Sequence, residues 1–312
     1  MKYLGGKHKI GGEISRILKH VCPEHINRYL EPFCGALGVL RHMTSDFICT
    51  ASDIQPDMIH LWIGVKNGTF ISPTNITETF YKKVKSMKKH SALKGFVGFL
   101  CSWNGMYFAG LANYKGTNRN VCREANNDIK KVRPLLKKVT FKCASYDKYN
   151  PKDTLIYCDP PYEGTIGYTG TKGEFDHASF WNKMREWSKT NIVIISEEQA
   201  PKDFKCMWKK GYSRGRGFKS KKSNPKGKDV FEKLFIHRDN YDLLRSNIRT
   251  IHVKSTKPQR NTKRRTKRKT RRKWFRFCQF KGRNLMNVEF CHLNPQLTNS
   301  QYSQLSTTLK NN

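Results

Sequence analysis

The chain has 312 residues, of which 37% are apolar and 12% aromatic, enough to form a sizeable core. Its formal net charge is +36, and a basic excess occurs both before and after residue 239, so a polyanionic partner is expected, most often nucleic acid. No apolar run reaches the length of a membrane span and no signal peptide is visible, which predicts an intracellular protein that does not bind membranes.

Two strand–turn–helix units are predicted near the amino terminus. In RYLEPFCGALGVLRHM a short apolar strand ends at Glu31, and two glycines then precede a periodic apolar segment that predicts a helix. A second strand over residues 47–51 leads to Asp53, and Pro56 begins the next helix, where proline is tolerated in the first turn. Two such units in series predict an α/β fold with a parallel, doubly wound sheet.

The middle of the chain changes character before the sheet resumes. Residues 66–138 alternate Lys/Arg-rich segments with glycine, asparagine and aromatic residues, which predicts an inserted, partly helical target-recognition region. Apolar strands follow at 154–158 and 191–196, and VFEKLFIHR supplies a last strand. The predicted catalytic domain therefore comprises residues 1–65 and 139–238.

The carboxyl-terminal part of the chain, residues 239–312, lacks the apolar pattern of a core. Its stretch TKRRTKRKTRRK carries nine basic residues in twelve positions. This composition predicts a largely disordered basic tail. Contact with nucleic acid and a localisation signal are both open for such a tail.

Three acids are predicted at the carboxyl ends of neighbouring strands. They are Glu31, Asp53 and Asp159, and in a doubly wound sheet such strand ends face one ligand crevice. The glycine turn after Glu31 lacks the third glycine of a dinucleotide fingerprint, but Asp53 stands where a carboxylate can accept both hydroxyls of a ribose. From spacing alone, NAD and S-adenosylmethionine are both open as cofactor.

The stretch LIYCDPPYEG, residues 155–164, is an apolar strand that two prolines end. A tight turn alone would explain Asp-Pro-Pro. Four segments nevertheless resemble, in their order and spacing, the DNA adenine-N6 methyltransferases of the DPPY type, the Dam-like or D12 class: KYLGGKHKI, EPFCGALGV, SDIQPDMI and DPPY. Further segments are similar to a phage- and virus-encoded branch of that class, and the match extends from about Lys2 to His237.

The resemblance implies a Rossmann-like methyltransferase fold that transfers a methyl group from S-adenosyl-L-methionine to the exocyclic N6 of adenine at a specific DNA site. It implies DNA as partner, and a restriction endonuclease as a further candidate partner. Together with the acids at the strand ends it gives these cofactor-binding candidates: Tyr3, Lys7, Glu31, Phe33, Gly35, Asp53 and Asp159. The catalytic candidates are Asp159, Pro160, Pro161 and Tyr162. Where the family carries an aromatic residue in the late strand motif, this chain reads Ser196-Glu197-Glu198.

The chemistry of adenine gives the DPPY residues definite tasks. The N6 lone pair is delocalised into the ring, so two acceptors aimed at its N–H bonds would draw the amine toward the geometry that attacks a methyl group. The Asp159 carboxylate and the Pro160 carbonyl can be those acceptors, and Pro161 stiffens the turn. The ring of Tyr162 can stack on a base that has been flipped out of the duplex, since N6 is inaccessible inside it.

Candidate DNA contacts lie in the inserted region, where asparagine and arginine side chains could read base edges. They are Asn104, Tyr107, Lys115, Asn118 and Arg119; the alternative is a structured loop that satisfies its own backbone. The ten cysteines are scattered singly, without the spacing of a disulfide framework or a zinc site, so no metal is expected. RNA adenine, the N4 of cytosine, and a decayed nucleic-acid-binding protein stay open as alternatives, with a Rossmann-type oxidoreductase as a distant one.

Overall fold

The computed structural model describes residues 3–112, 119–163, 175–212 and 230–254, and these belong to one compact α/β unit. Its strands are β1 (Arg28–Glu31), β2 (Ile48–Asp53), β3 (Thr140–Cys143), β4 (Thr154–Cys158), β5 (Ile192–Ser196), β6 (Phe204–Tyr212) and β7 (Val230–His237). Its helices are α1 (Gly11–Val21), α2 (Pro56–Asn67), α3 (Glu78–Ser86), α4 (Ala92–Gly95), α5 (Val121–Val132), α6 (His177–Ser188), α7 (Arg238–Leu243) and α8 (Arg245–Lys254). Within these ranges no helix is long and apolar enough to cross a membrane.

The strands form one seven-stranded sheet in the order β3-β2-β1-β4-β5-β7-β6. The first five strands of this order are parallel, and β7 is antiparallel to both of its neighbours. The sheet confirms the predicted Rossmann-like, doubly wound fold. From β1 the chain adds β2 and β3 on one side of the sheet, and it then adds β4 and β5 on the other side of β1. Open α/β sheets bind ligands at such a switch point, beyond the carboxyl ends of the strands.

Two apolar layers cover the sheet because successive side chains of a strand point to opposite faces. In β4, Leu155 and Tyr157 join the larger core with α1, α2 and α8, whereas Ile156 and Cys158 join the smaller core with α6. All five β4 residues are buried, as expected for a central parallel strand covered on both faces. This burial fixes β4 in the sheet and thereby the position of Asp159, the first residue after the strand.

The segment predicted as an insertion packs on the same core as the sheet. Its helices α3 and α5 contribute buried residues to the larger core, and Leu93 of α4 is partly buried against that core. Asp57 of α2 is fully buried and holds this segment, because its carboxylate accepts hydrogen bonds from Ser91 N at 2.8 Å and from the Tyr107 hydroxyl at 2.6 Å. Asp57 therefore anchors the segment predicted as an insertion to α2.

Two local predictions are corrected by the structure, and one strand was not predicted. The helix expected after the glycine turn is wrong: the chain makes tight turns there, Leu37 has a φ of +59°, and only Leu40–His42 forms a short 3₁₀ turn. The edge strand β6 was not predicted, since its lysines resemble a loop. The tail boundary at residue 239 is also wrong for residues 239–254, which form α7 and α8.

Specific contacts explain why the fold continues past residue 239. The buried Asn240 side chain donates hydrogen bonds to the carbonyl oxygens of Ser188 at 3.1 Å and Asn191 at 2.9 Å. Leu244 and Ile248 enter the larger core. A few apolar residues spaced four apart thus suffice to dock two polar helices, and the rest of the predicted tail lies outside the described residues.

Candidate active site

A cavity of about 700 Å³ opens at the carboxyl ends of the parallel strands, a size typical of small-molecule sites. The residues predicted for the cofactor all line it: Tyr3, Lys7, Glu31, Phe33, Gly35, Asp53 and Asp159. Pro161 and Tyr162 also line it, whereas Pro160 is buried and is not one of the lining residues. The amino-terminal segment and three strand ends thus meet at a single cavity.

The glycine turn forms one wall of this cavity. Gly35 has a φ of +41°, and a Cβ there would lie 2.8 Å from the Tyr3 ring, so a larger residue cannot be accommodated without movement. Gly35 N donates to Asp53 Oδ2 at 2.9 Å, and Gln55 N donates to Asp53 Oδ1 at 2.9 Å. A carboxylate has about four acceptor positions, so Asp53 keeps acceptor capacity that a ligand hydroxyl can use.

Aromatic rings form the wall around Phe33. Its ring centroid lies 5.5 Å from that of Tyr146, 6.0 Å from that of Phe175 and 5.9 Å from that of Phe180. Asp176 caps α6 beside this wall by accepting from Ser179 N at 2.9 Å. The cavity therefore offers flat apolar surface beside the Asp53 carboxylate, as a nucleoside requires.

The lining of the cavity is acidic although the chain as a whole is strongly basic. Among the described residues Lys7 is the one lysine or arginine that lines it. The acidic lining residues are Glu31, Asp53, Asp147, Asp159, Glu163 and Asp176. The cavity is thus suited to a small cationic ligand, while the +36 charge of the chain suits a polyanion outside it.

Asp159 is paired directly with Lys7. The Lys7 ammonium donates to Asp159 Oδ1 at 2.7 Å and to the Gly5 carbonyl at 3.2 Å. Burial raises the pKa of Asp159 above its usual value, and the charge of Lys7 opposes this shift. The Lys7 ammonium therefore favours the ionised form of the Asp159 carboxylate and restrains its orientation.

Glu31 is a buried acid of different character. Its Oε2 accepts a hydrogen bond from the Tyr29 hydroxyl at 2.6 Å. Burial raises the pKa of Glu31 to about 8, with the bond from Tyr29 acting in the opposite direction. Glu31 is therefore mostly protonated at neutral pH, and two adjacent acids, Glu31 and Asp159, differ in charge because only Asp159 has a lysine partner.

Glu31→Gln should change how stability depends on pH. A carboxyl whose pKa is raised in the folded state stabilises the protein at low pH, and this contribution is lost as pH rises through the folded pKa. Between pH 6 and pH 8 the wild type should lose about 2 kcal/mol of unfolding free energy through Glu31, and the variant should not. Urea unfolding at both pH values measures this. Glu198→Gln, at an exposed site, is the control, and equal pH dependence in wild type and Glu31→Gln would contradict the assignment.

Two carboxylates that sequence reasoning did not assign to the site hold the DPPY loop. The Tyr162 hydroxyl donates to Glu232 Oε1 at 2.9 Å, and Glu163 N donates to Glu197 Oε1 at 2.9 Å. Glu232 lies in β7 and Glu197 directly follows β5. Burial raises the pKa of Glu197 to about 7. The departure from the family motif at Ser196-Glu197-Glu198 thus places a buried acid against the loop.

The predicted DNA contacts separate into different environments. Tyr107 is given a structural role, because its hydroxyl is bound to Asp57 and its ring packs 4.7 Å from that of Phe99. Asn104 is partly exposed with a φ of +53°. Arg119 is exposed and its guanidinium makes bonds of 2.8 and 2.6 Å to Glu124. Lys115 and Asn118 lie outside the described residues.

Comparison with known proteins identifies the family to which the chain is similar. The family model for D12 class N6 adenine-specific DNA methyltransferases matches residues 3–223. The DNA adenine methylase of Haemophilus influenzae is 27% identical over an alignment of 199 residues, and the match covers 55% of this chain and 68% of that protein. The retron Ec67 DNA adenine methylase of Escherichia coli is 27% identical over an alignment of 202 residues, and the match covers 55% of this chain and 66% of that protein. The type II methyltransferase M.MjaIII of Methanocaldococcus jannaschii is 27% identical over an alignment of 233 residues, and the match covers 59% of this chain and 79% of that protein.

The family match covers β1 to β5 and therefore every strand end that lines the cavity. It includes Tyr3, the strand-end acids Glu31 and Asp53, and the DPPY residues. The motifs that follow one another along the matched range therefore also meet at one cavity in the fold. The chain belongs to the D12 class of N6 adenine-specific DNA methyltransferases.

Proposed function

We propose that this methyltransferase takes its methyl group from S-adenosyl-L-methionine and transfers it to the N6 of an adenine flipped out of a specific DNA site. The observation on which this rests most is the acidic cavity of a +36 chain, with Asp159, Pro161 and Tyr162 among its lining residues. A cationic donor fits inside such a cavity, and a polyanionic substrate fits the charge outside it.

The residues present fit S-adenosylmethionine, which when bound supplies an electrophilic methyl group on a positively charged sulfur. Asp53 accepts the ribose hydroxyls with the acceptor positions that Gly35 N and Gln55 N leave open. The aromatic wall around Phe33 covers the adenine moiety. The backbone of the glycine turn, which has no side chain at Gly35, would contact the amino-acid part.

The DPPY residues act on the amine of the target base. The Asp159 carboxylate accepts one N–H of N6, and the Pro160 carbonyl accepts the other, which directs the nitrogen lone pair at the methyl group. The Lys7 ammonium, 2.7 Å from Asp159, opposes the effect of partial burial on the pKa of Asp159 and keeps this carboxylate ionised. Tyr162 provides the face on which the base stacks, worth about 1–3 kcal/mol.

Recognition of the DNA site is assigned to the segment that Asp57 anchors. Asn104 and Arg119 stay candidates for base contacts, and binding would free Arg119 from Glu124. Lys115 and Asn118 are candidates on sequence grounds. The net charge implies that affinity falls steeply with salt, because each neutralised phosphate releases counterions.

The test is to incubate the protein with S-adenosylmethionine labelled in its methyl group and with mixed DNA and RNA, and then to separate the nucleosides. We expect label in N6-methyldeoxyadenosine. Label in a ribonucleoside or in N4-methyldeoxycytidine would contradict the proposed substrate. The role of the two acceptors would remain, since the lone pair of the cytosine amine is also delocalised into its ring. No label with both ligands bound would identify a decayed enzyme.

The proposal includes the surroundings of the enzyme. Methylation of DNA requires that it act inside a cell, in a bacterial cytoplasm or a virus-infected host. A partner restriction endonuclease is included because one relative, M.MjaIII, is named a type II methyltransferase. After the methylated sequence is mapped, resistance of the methylated DNA to nucleases that cut this sequence tests that partnership.

A further inference from the structure

Glu232 is a buried acid in β7 that the proposed reaction does not use directly. Its side chain is 2% exposed. Oε1 accepts the Tyr162 hydroxyl at 2.9 Å and lies 3.5 Å from Lys7 Nζ. The Lys7 ammonium in turn lies 4.9 Å from the centroid of the Tyr162 ring. Glu232 therefore contacts both groups that flank Asp159.

The position of Glu232 in its strand makes this arrangement unusual. Side chains alternate along β7, and Leu234 and Ile236, which share its face, are fully buried in the larger core. A charged residue in an apolar row is costly unless it is paired and hydrogen-bonded. The partners that offset this cost are the Lys7 ammonium and the Tyr162 hydroxyl, so Glu232 serves the DPPY loop rather than the core.

We infer that Glu232 is a positioning residue for methyl transfer: through the Tyr162 hydroxyl it fixes the plane of the ring on which the target base stacks. This inference rests on the function proposed above. The hydroxyl is the far end of the side chain, so a bond there restricts rotation of the ring about its first two side-chain torsions. With Lys7 over one face of the ring, the base takes the other face.

Three substitutions separate this role from plain structural support. Glu232→Gln keeps an acceptor for the Tyr162 hydroxyl and removes the charge. Glu232→Ala removes both. Tyr162→Phe removes the donor from the other side and keeps the ring. Glu24→Gln, at an exposed acid that precedes β1 and does not line the cavity, is the matched control and should retain wild-type activity.

Stacking is measured with DNA that carries 2-aminopurine at the target position, because its fluorescence falls when it stacks on an aromatic ring. We expect Glu232→Ala and Tyr162→Phe each to lower kcat about tenfold, with KM for DNA changed less than twofold, and to leave 2-aminopurine brighter than the wild type does. Glu232→Gln should stay within threefold of wild type in kcat. The double variant Glu232→Ala/Tyr162→Phe should be no slower than the slower single one, since both substitutions remove the same bond between Glu232 and Tyr162.

Additive losses in the double variant, or wild-type kcat and fluorescence in Glu232→Ala, would overturn the inference. A Glu232→Gln variant as slow as Glu232→Ala would also overturn it, because charge rather than the hydrogen bond would then matter. If Glu232→Ala does not fold, Tyr162→Phe carries the test, and full activity in that variant refutes the role. The product nucleoside of the wild type, read in the same assay, reports separately on the proposed function.

Discussion

Asp159→Asn should lower the rate of methyl transfer by a factor of about 10²–10⁴. The amide has the size of the carboxylate, but its NH₂ group presents donors where the target amine needs an acceptor. Lys7 would retain the remaining carbonyl oxygen, so the amide nitrogen would face the substrate. Single-turnover rates with labelled donor measure the loss, and filter binding measures the affinity for DNA.

The affinity of Asp159→Asn for DNA should stay within about twofold of wild type, because binding depends mainly on phosphate contacts. Asp153→Asn is a matched control at the opposite end of β4: Asp153 is exposed and has a φ of +47°, which asparagine tolerates. It should keep full activity. Equal loss of methyl transfer and DNA binding in Asp159→Asn would show that Asp159 maintains the fold and has no direct part in the reaction.

Gly11→Ala should destabilise the protein by about 4 kcal/mol or more, at the upper end of single substitutions. A Cβ at Gly11 would lie 2.0 Å from the carbonyl oxygen of Gly38, an atom of the backbone that cannot rotate away. Gly38 in turn lies against the Lys7 backbone, since a Cβ there would be 2.9 Å from Lys7 N. To relieve this clash, α1, the glycine turn and Lys7 would have to move together. The affinity for S-adenosylmethionine should therefore fall along with the stability.

Gly12→Ala, one residue further in the same helix, is the control for Gly11→Ala. A Cβ at Gly12 would meet only the His42 ring, at 3.6 Å, which is ordinary van der Waals contact. Alanine favours helix over glycine by about 1 kcal/mol, so this variant should be neutral or slightly more stable. Urea unfolding of both variants tests the pair, and similar stability of the two would contradict the close approach of α1 to the glycine turn.

The parts of the site that follow from local sequence were predictable. The run Leu155 to Cys158 is apolar and partly β-branched or aromatic, and the prolines after it leave few other ways to end the strand. Pro56 correctly indicated the first turn of α2. Strand ends in a doubly wound sheet converge by topology, so Glu31, Asp53 and Asp159 could be expected together before any distance was known.

Contacts between distant segments were not predictable in the same way. VFEKLFIHR was correctly predicted as a strand, but nothing local to Glu232 indicates Tyr162 as its partner. Tyr107 was expected at DNA because an aromatic residue in a basic segment suits base stacking; its bond to Asp57 depends on how α2 packs. The polar sequence of α7 and α8 concealed the few residues that dock them.

The clustering of Lys7, Asp159 and Glu232 affects the order in which the protein becomes active as it is made. Lys7 and Asp159 are 152 positions apart, and Glu232 belongs to the last strand of the sheet. At roughly 5–20 residues per second, synthesis takes about 10–45 s to proceed from the first of the three to the last. Closing such long loops is also slow in folding. A nascent chain would therefore have an incomplete methyl-transfer site until β7 has left the ribosome and paired with β5.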